Sequence, residues 1–560
     1  MSYTQRYLGR SAVKQAGGAS AVSLVPNLAR PKVFFDGELR HPVRFREAMS
    51  ALHEVVVGDL RFNRKDRAAY ERYLAELRAE EQELQREAFD EARRRELLAA
   101  LSEPEPPDLK KRFKQAHKRY YKARSRWIRD LFIRDNKLWW LLDPVVTVAP
   151  DVVLFECFSK DESSYGCLTV DRDGFSSQER GSEGLGTTNV DYSVALYEHF
   201  QTLRSYRPTR LAVDPAGFEV QVAGHPDFRE EKIDLPASWL RGFGQIQAAQ
   251  VLPATQLRLG RAAAYSLLAY LGRHRERKSP RALRFELTPG MPPRLILEPW
   301  EKEIQALGSP VDLPGAQTIR VWGKRRLLVL SRLLPLLEGL DVYLLGSGLP
   351  SVWVARLGEM TFTLALSGWT TNDWSSGANL ALLAGRFQGS PEVMARALEE
   401  LRKGQRASLA QLKAALGPGV PERALLGSLH QLALRGQLIF DHAHGVYRYR
   451  CALPEPLGVE LLGEPHPELS AAQRFMEKGK VQVERSEPLA QGRVLIQGRV
   501  GKTHCEALLD GDGAYLKAQC SCSLFYKNKL KAGPCRHILA LKLVATAPRF
   551  GEGSGPHLVS

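Results

Sequence analysis

The pattern that most restricts this chain lies near its C-terminus: Cys520-Ser521-Cys522, twelve residues, then Cys535-Arg536-His537. Three of the chain's seven cysteines and one histidine thus fall within eighteen residues. Zn²⁺ takes four soft or borderline ligands in a tetrahedron, and Cys₃His is a common closed, structural set. Residues two apart on a strand point to one face, so Cys520 and Cys522 can reach the same ion. Gly533-Pro534 ends the intervening loop, and proline suits a first helical turn, where its missing N–H would be unpaired anyway. Residues 538–543 read as a short helix with Cys535 and His537 at its start. Ile538, Leu541 and Ala545 follow at helical spacing and face a core.

Upstream, 493–500, 503–509 and 514–520 read as three short strands, with the Asp510-Gly511-Asp512-Gly513 run as a turn between the last two. A helix over about 470–478 precedes them, giving a small α+β unit from 466 to 547. Gly501-Lys502-Thr503 ends like a phosphate loop, but the required earlier glycine is absent and the tripeptide lies between strands. The CxC pair followed by "GPCRHILAL" resembles the SWIM zinc finger, whose ligand pattern is CxCxₙCxH. One structural Zn²⁺ held by Cys520, Cys522, Cys535 and His537 is the expectation. Cys505 sits mid-strand outside both pairs and is not expected to bind. No secretory signal is evident, so unevenly spread cysteines suit a reducing cytoplasm better than disulfides.

A net charge of +16 favours an acidic partner such as nucleic acid, although arginine-rich usage alone gives the same sign. No stretch approaches the roughly 20 apolar residues that span a bilayer, so no membrane partner is expected. Residues 1–63 form an N-terminal segment, polar and partly disordered to Arg30, with a short helix over 43–52. Residues 64–137 read as a helical hairpin. Tyr70, Leu74, Leu77, Leu84 and Ala88 mark one narrow apolar stripe, and Pro104, Pro106 and Pro107 end it. The second arm is strongly basic, and Lys114, Lys118 and Arg126 are candidate phosphate contacts. The competing reading is a face neutralised by Glu76, Glu80, Glu83 and Glu87 of the first arm.

Residues 138–386 alternate strands with a few helices and read as an α+β body, with two sub-domains related by a weak repeat. "GTTNVDYS" (186–193) and "SGWTTNDWSSG" (367–377) read as polar loops after strands. "DPVVTVAPDVVLFECFS", "GTTNVDYS" and "LPASWLRGFGQIQAA" resemble the long bacterial SWIM zinc-finger proteins. That resemblance implies a MoxR-type AAA ATPase and a von Willebrand factor A protein as partners. Residues 387–455 read as a winged helix whose last helix offers Glu422, Arg423, Ser428, Gln431 and Arg435 on its outer face. His442 and His444 fall at its wing tip, which reads as an exposed turn, with metal ligation as the alternative. Residues 548–560 are a tail.

The fold class read from the sequence is α+β and multidomain: helical hairpin, mixed body, winged-helix-like segment and small zinc-binding SWIM domain. No HExxH, nucleophile elbow or kinase set appears, and a four-ligand zinc site has no open position for catalysis. The functional expectation is a non-enzymatic interaction protein that binds nucleic acid through the finger and basic surfaces. On the finger the candidate contacts are Lys527, Lys529, Lys531 and Arg536; the three lysines share a face if their loop is extended. The alternative is an adaptor or substrate-recognition subunit for the AAA ATPase system. A third reading, a hydrolase in the body, has no motif to carry it.

Overall fold

The structure is a computed structural model that describes residues 5–7, 11–16, 19–24, 26, 33–57, 144–159, 163–178, 184–190, 197, 200–213, 230–232, 237–277, 279–306, 310–368, 389–451, 456, 467–490, 493–511, 513, 515–530 and 533–546. The basic hairpin with Lys114, Lys118 and Arg126, the loop from 369 to 377, Lys531 and the tail 548–560 lie outside the described residues. Among the described residues no helix is long and apolar enough to cross a membrane.

The body is built on an eight-stranded sheet, antiparallel throughout. Strands from the two halves of the body meet where Met360–Leu366 pairs with Ser164–Asp171. At this level the two expected sub-domains are therefore one continuous sheet. Val152–Phe158 is buried at every position, so both faces of the sheet are covered. The two-residue period of a strand sorts its side chains. Phe155 and Cys157 face the helix Pro42–Val57: the Phe155 ring lies 5.6 Å from that of Phe45, and the Cys157 thiol donates to the Leu52 carbonyl at 3.4 Å. Val152, Leu154 and Phe158 pack on the other side with Ile246 of the helix Ala237–Gln250 and with Ile439.

Two local expectations change in the fold. Ala19–Leu24, in the segment expected to be partly disordered, pairs in parallel with Thr209–Val213, which also pairs with Phe35–Leu39. Its partner lies far along the chain, so local composition carried no sign of it. Gly186–Asn189, read as a loop, is an edge strand on Val145–Val148. Lys324–Leu333, one of the few helices of the body, is a 3₁₀-helix.

The segment from 391 to 450 carries helices Pro391–Gly404, Leu409–Leu416 and Glu422–Leu434 and a three-stranded sheet. Its helix starts are set locally. Ser390 caps the first, accepting from the Val393 N–H at 3.3 Å, and Ser408 with Gln411 forms a capping box on the second. The third helix departs from expectation. Leu425 through His430 are all buried, and the face expected to hold Ser428 outward is covered, Ser428 being 0% exposed. The helix Ala237–Gln250 runs so close that a Cβ on Gly244 would meet the Leu434 carbonyl oxygen at 2.4 Å. The wing turn is not exposed at His442 either. That ring is buried against Tyr343 and Phe440 at 4.5 and 4.8 Å, and burial holds its pKa at about 4.

The C-terminal unit has the helix Pro467–Glu477 followed by a four-stranded antiparallel sheet in chain order: Val481–Pro488, Val494–Val500, Thr503–Leu509 and Tyr515–Cys520. Val481–Pro488 is an edge strand absent from the three-strand expectation. The helix Arg536–Thr546 lies across the sheet and supplies Ile538, Leu541 and Leu543 to a core that shares no residue with the other buried clusters. Gly498 permits this packing: a Cβ there would lie 2.3 Å from the Gln482 carbonyl oxygen and 2.7 Å from Leu541 Cδ1.

Candidate metal centre

One strand end and two helix starts bring the ligands together. Cys520 is the last residue of Tyr515–Cys520, paired across the sheet with Cys505. Cys522 lies beyond the strand end, where it caps the short helix Ser523–Asn528; its sulfur accepts from the Phe525 N–H at 3.5 Å. Cys535 immediately precedes the helix Arg536–Thr546, its carbonyl taking the Leu539 N–H at 2.9 Å, and His537 sits in that helix's first turn. Two helix N-termini thus direct N–H groups and positive dipole ends toward the sulfurs, which favours thiolates.

The Sγ atoms of Cys520, Cys522 and Cys535 and a ring nitrogen of His537 all lie within 4.8 Å of one another. Cys520 Sγ and His537 Nδ1 are 3.8 Å apart. Tetrahedral zinc, with bonds of about 2.0–2.3 Å, sets ligand separations of about 3.5–3.8 Å. The donor set and spacing fit one structural Zn²⁺. The electrostatics ask for it as well. The neighbouring Cys520 and burial push the Cys535 thiol up to about 12, and burial also raises Cys522. Three adjacent thiolates are unfavourable alone, and a bound dication reverses that sign. Cys505 is 1% exposed and pushed up to about 12 by burial and by Cys535 and Cys522, yet it stands outside the four converging groups.

Two supporting residues escaped the sequence reading. Glu468 is 8% exposed and accepts from the backbone N–H of Arg536 at 2.7 Å and from its guanidinium at 2.5 and 3.1 Å. It therefore caps the ligand-bearing helix and ties it to Pro467–Glu477. Phe475 of the same helix lays its ring 5.3 Å from that of His537. Neither residue sits at a recognisable spacing from the ligands, so no sequence signal marked them.

The expected phosphate contacts are redistributed. Arg536 is engaged by Glu468 rather than free. The segment between the ligand pairs is helical over Ser523–Asn528, so Lys527 and Lys529 do not share a strand face. Lys527 is exposed in the last turn, while Lys529 follows at positive φ with its Nζ 5.5 Å from the Phe525 and Tyr526 ring centroids. Lys542 is buried over the Tyr515 ring.

The SWIM zinc finger family matches residues 508–545. No curated protein matches the chain. Among solved structures, the chain is weakly similar to the proliferating cellular nuclear antigen of Entamoeba histolytica, at 10% identity and a TM-score of 0.29 over 40% of this chain and 89% of that one. It is likewise similar to the PCNA2–PCNA3 complex of Sulfolobus tokodaii, at 8% identity and a TM-score of 0.27 over 40% of this chain and 90% of that one. Likeness of this degree carries no argument about fold or partners. The matched family and the convergence of Cys520, Cys522, Cys535 and His537 together identify the C-terminal unit of this chain as a SWIM zinc finger.

Proposed function

We propose that this chain is a zinc-dependent interaction protein that binds nucleic acid through its SWIM finger, and that it is not an enzyme. The observation that carries the reading is the charge of the finger surface. No Asp or Glu occurs from Gly513 to Gly551. Lys517, Lys527 and Lys529 are exposed, and among the described residues none of them pairs with a carboxylate. Cations without a carboxylate partner, on a surface held by a metal, can neutralise phosphates at no cost in broken ion pairs. Affinity for duplex and single-stranded DNA, measured against salt with and without a zinc chelator, tests this. Binding should require zinc, and replacing all three lysines by alanine should lower the salt slope by about 2 units or more. Binding unchanged in slope by that variant would sink the reading.

A second reading, an adaptor for a protein machine such as a MoxR-type AAA ATPase, is favoured by the helix Glu422–Leu434. Ser428 and its neighbours in the middle of that helix are buried and Gly244 packs against its Leu434 end, which reduces the face that a winged-helix module would offer to a major groove to Arg423 and the part-exposed Glu422, Gln431 and Arg435. Salt-resistant co-purification of an ATPase with the native protein, unaffected by nuclease, would favour this reading over the first.

A further inference from the structure

The short helix between the ligand pairs carries an unusual side chain for its position. Phe525 turns inward and is 3% exposed, whereas the next residue, Tyr526, is 77% exposed, the largest exposure among the large hydrophobic residues described. A single exposed aromatic is ordinary; its surroundings here are not. The Tyr526 backbone N–H donates to the carbonyl of the metal ligand Cys522 at 2.9 Å, so the ring projects from a backbone one helical turn from the zinc cluster. Lys527 follows it directly, and Lys529 Nζ lies 5.5 Å from its ring centroid. A flat apolar ring is thereby presented on a fixed backbone beside two cations, in a stretch without a single carboxylate.

An aromatic ring beside cations matches a base beside phosphates. In a duplex each base face is covered by its neighbours, so the ring has nothing to stack on. In a single strand the bases can splay, and stacking on aromatic side chains is the main sequence-tolerant contribution to binding. We propose that the finger takes single-stranded nucleic acid, with Tyr526 stacking on one base and Lys527 and Lys529 meeting the flanking phosphates. This rests on the nucleic-acid reading of the finger given above.

The test uses the zinc-loaded full chain and fluorescence anisotropy. The probes are a labelled single-stranded oligothymidylate of about 15 nucleotides and a duplex of the same length. Tyr526→Ala should weaken single-strand binding about 5- to 150-fold and leave the duplex within about two-fold, with zinc content unchanged. Tyr526→Phe, which keeps the ring, should bind like the parent. The double variant Lys527→Ala/Lys529→Ala should weaken both probes and flatten the single-strand salt slope by about 1.4. If Tyr526→Ala binds the single strand as tightly as the parent while the lysine variant is weakened, stacking is overturned and the broader nucleic-acid reading stands. If neither variant changes either probe, both fall. If polyglutamate displaces the probe as well as unlabelled oligothymidylate does, and its binding also depends on Tyr526, the surface fits an acidic protein and the proposal is overturned.

Discussion

The finger and the junction between the body and the 391–450 segment both bury ionisable side chains, and they balance the charge by opposite means. In the finger three thiols and an imidazole converge as a ligand set that a metal dication would balance. At the junction the chain brings its own cations. Arg450 and Glu156 are both 0% exposed and pair at 2.9 Å, and Tyr165 donates to the same carboxylate at 2.9 Å. Burial pushes Glu156 up, and Arg450 and the Tyr165 hydroxyl oppose it. Arg448, 1% exposed, pairs with Asp151 and Asp441 at 2.8 Å. The finger's stability is thus linked to a ligand in solution, whereas the junction's is written into covalent structure. Removing zinc should undo one region and leave the other intact.

The largest effect expected is therefore metal removal. A structural zinc contributes about 10–16 kcal/mol to small zinc domains. Chelation, or Cys522→Ser, should open residues 467–546 to protease while the body resists, and metal analysis should show one zinc per parent chain. Cys505→Ser should keep its zinc. Equal protease resistance of the finger with and without chelator would remove the contrast between the two regions.

Next is the junction. Glu156→Ala leaves a buried guanidinium without its carboxylate, at a cost of about 3–5 kcal/mol. The body's melting temperature should fall, with zinc content unchanged. A melt like the parent's would mean that the pair contributes nothing there.

Glu468→Gln comes third. Losing the charged cap and the Arg536 pair should cost about 1–2 kcal/mol. Zinc should still bind but pass to a chelator faster, because the ligand-bearing helix is less firmly held. An unchanged transfer rate would place the control of metal release elsewhere.

The smallest effect is a pH dependence confined to the junction. His444 lies between Asp171 at 3.2 Å and Asp441 at 2.8 Å, and these carboxylates raise its pKa to about 9. A raised folded-state pKa stabilises below the unfolded value near 6.5, and the gain is lost as pH rises through 9. Because the ring is 27% exposed, solvent screening limits the effect to about 1 kcal/mol. The body should melt lower at pH 9.5 than at pH 6.5, and His444→Gln should flatten that difference. An undiminished difference in the variant would assign it to other groups.

What the sequence determined by itself is what depends on near neighbours. Ligand identity and spacing, the turn closed by the Gly513 N–H on the Asp510 carbonyl, the caps at Ser390 and Ser408, and most body strands follow from local periodicity and local hydrogen bonds. Tertiary structure decided what depends on distant partners. Val481–Pro488 is exposed at most positions, with no clean apolar alternation to announce it, and is a strand because Val494–Val500 offers it a ladder. Residues 523–528 became a helix rather than an extended loop because Cys522 caps them and Phe525 finds the finger core. Arg536 looked like a phosphate contact until Glu468, far upstream, claimed it. His442 looked exposed until the body covered it. A side chain's type is local information, but whether it meets water, an ion or another chain segment is set by contacts that only the folded chain makes.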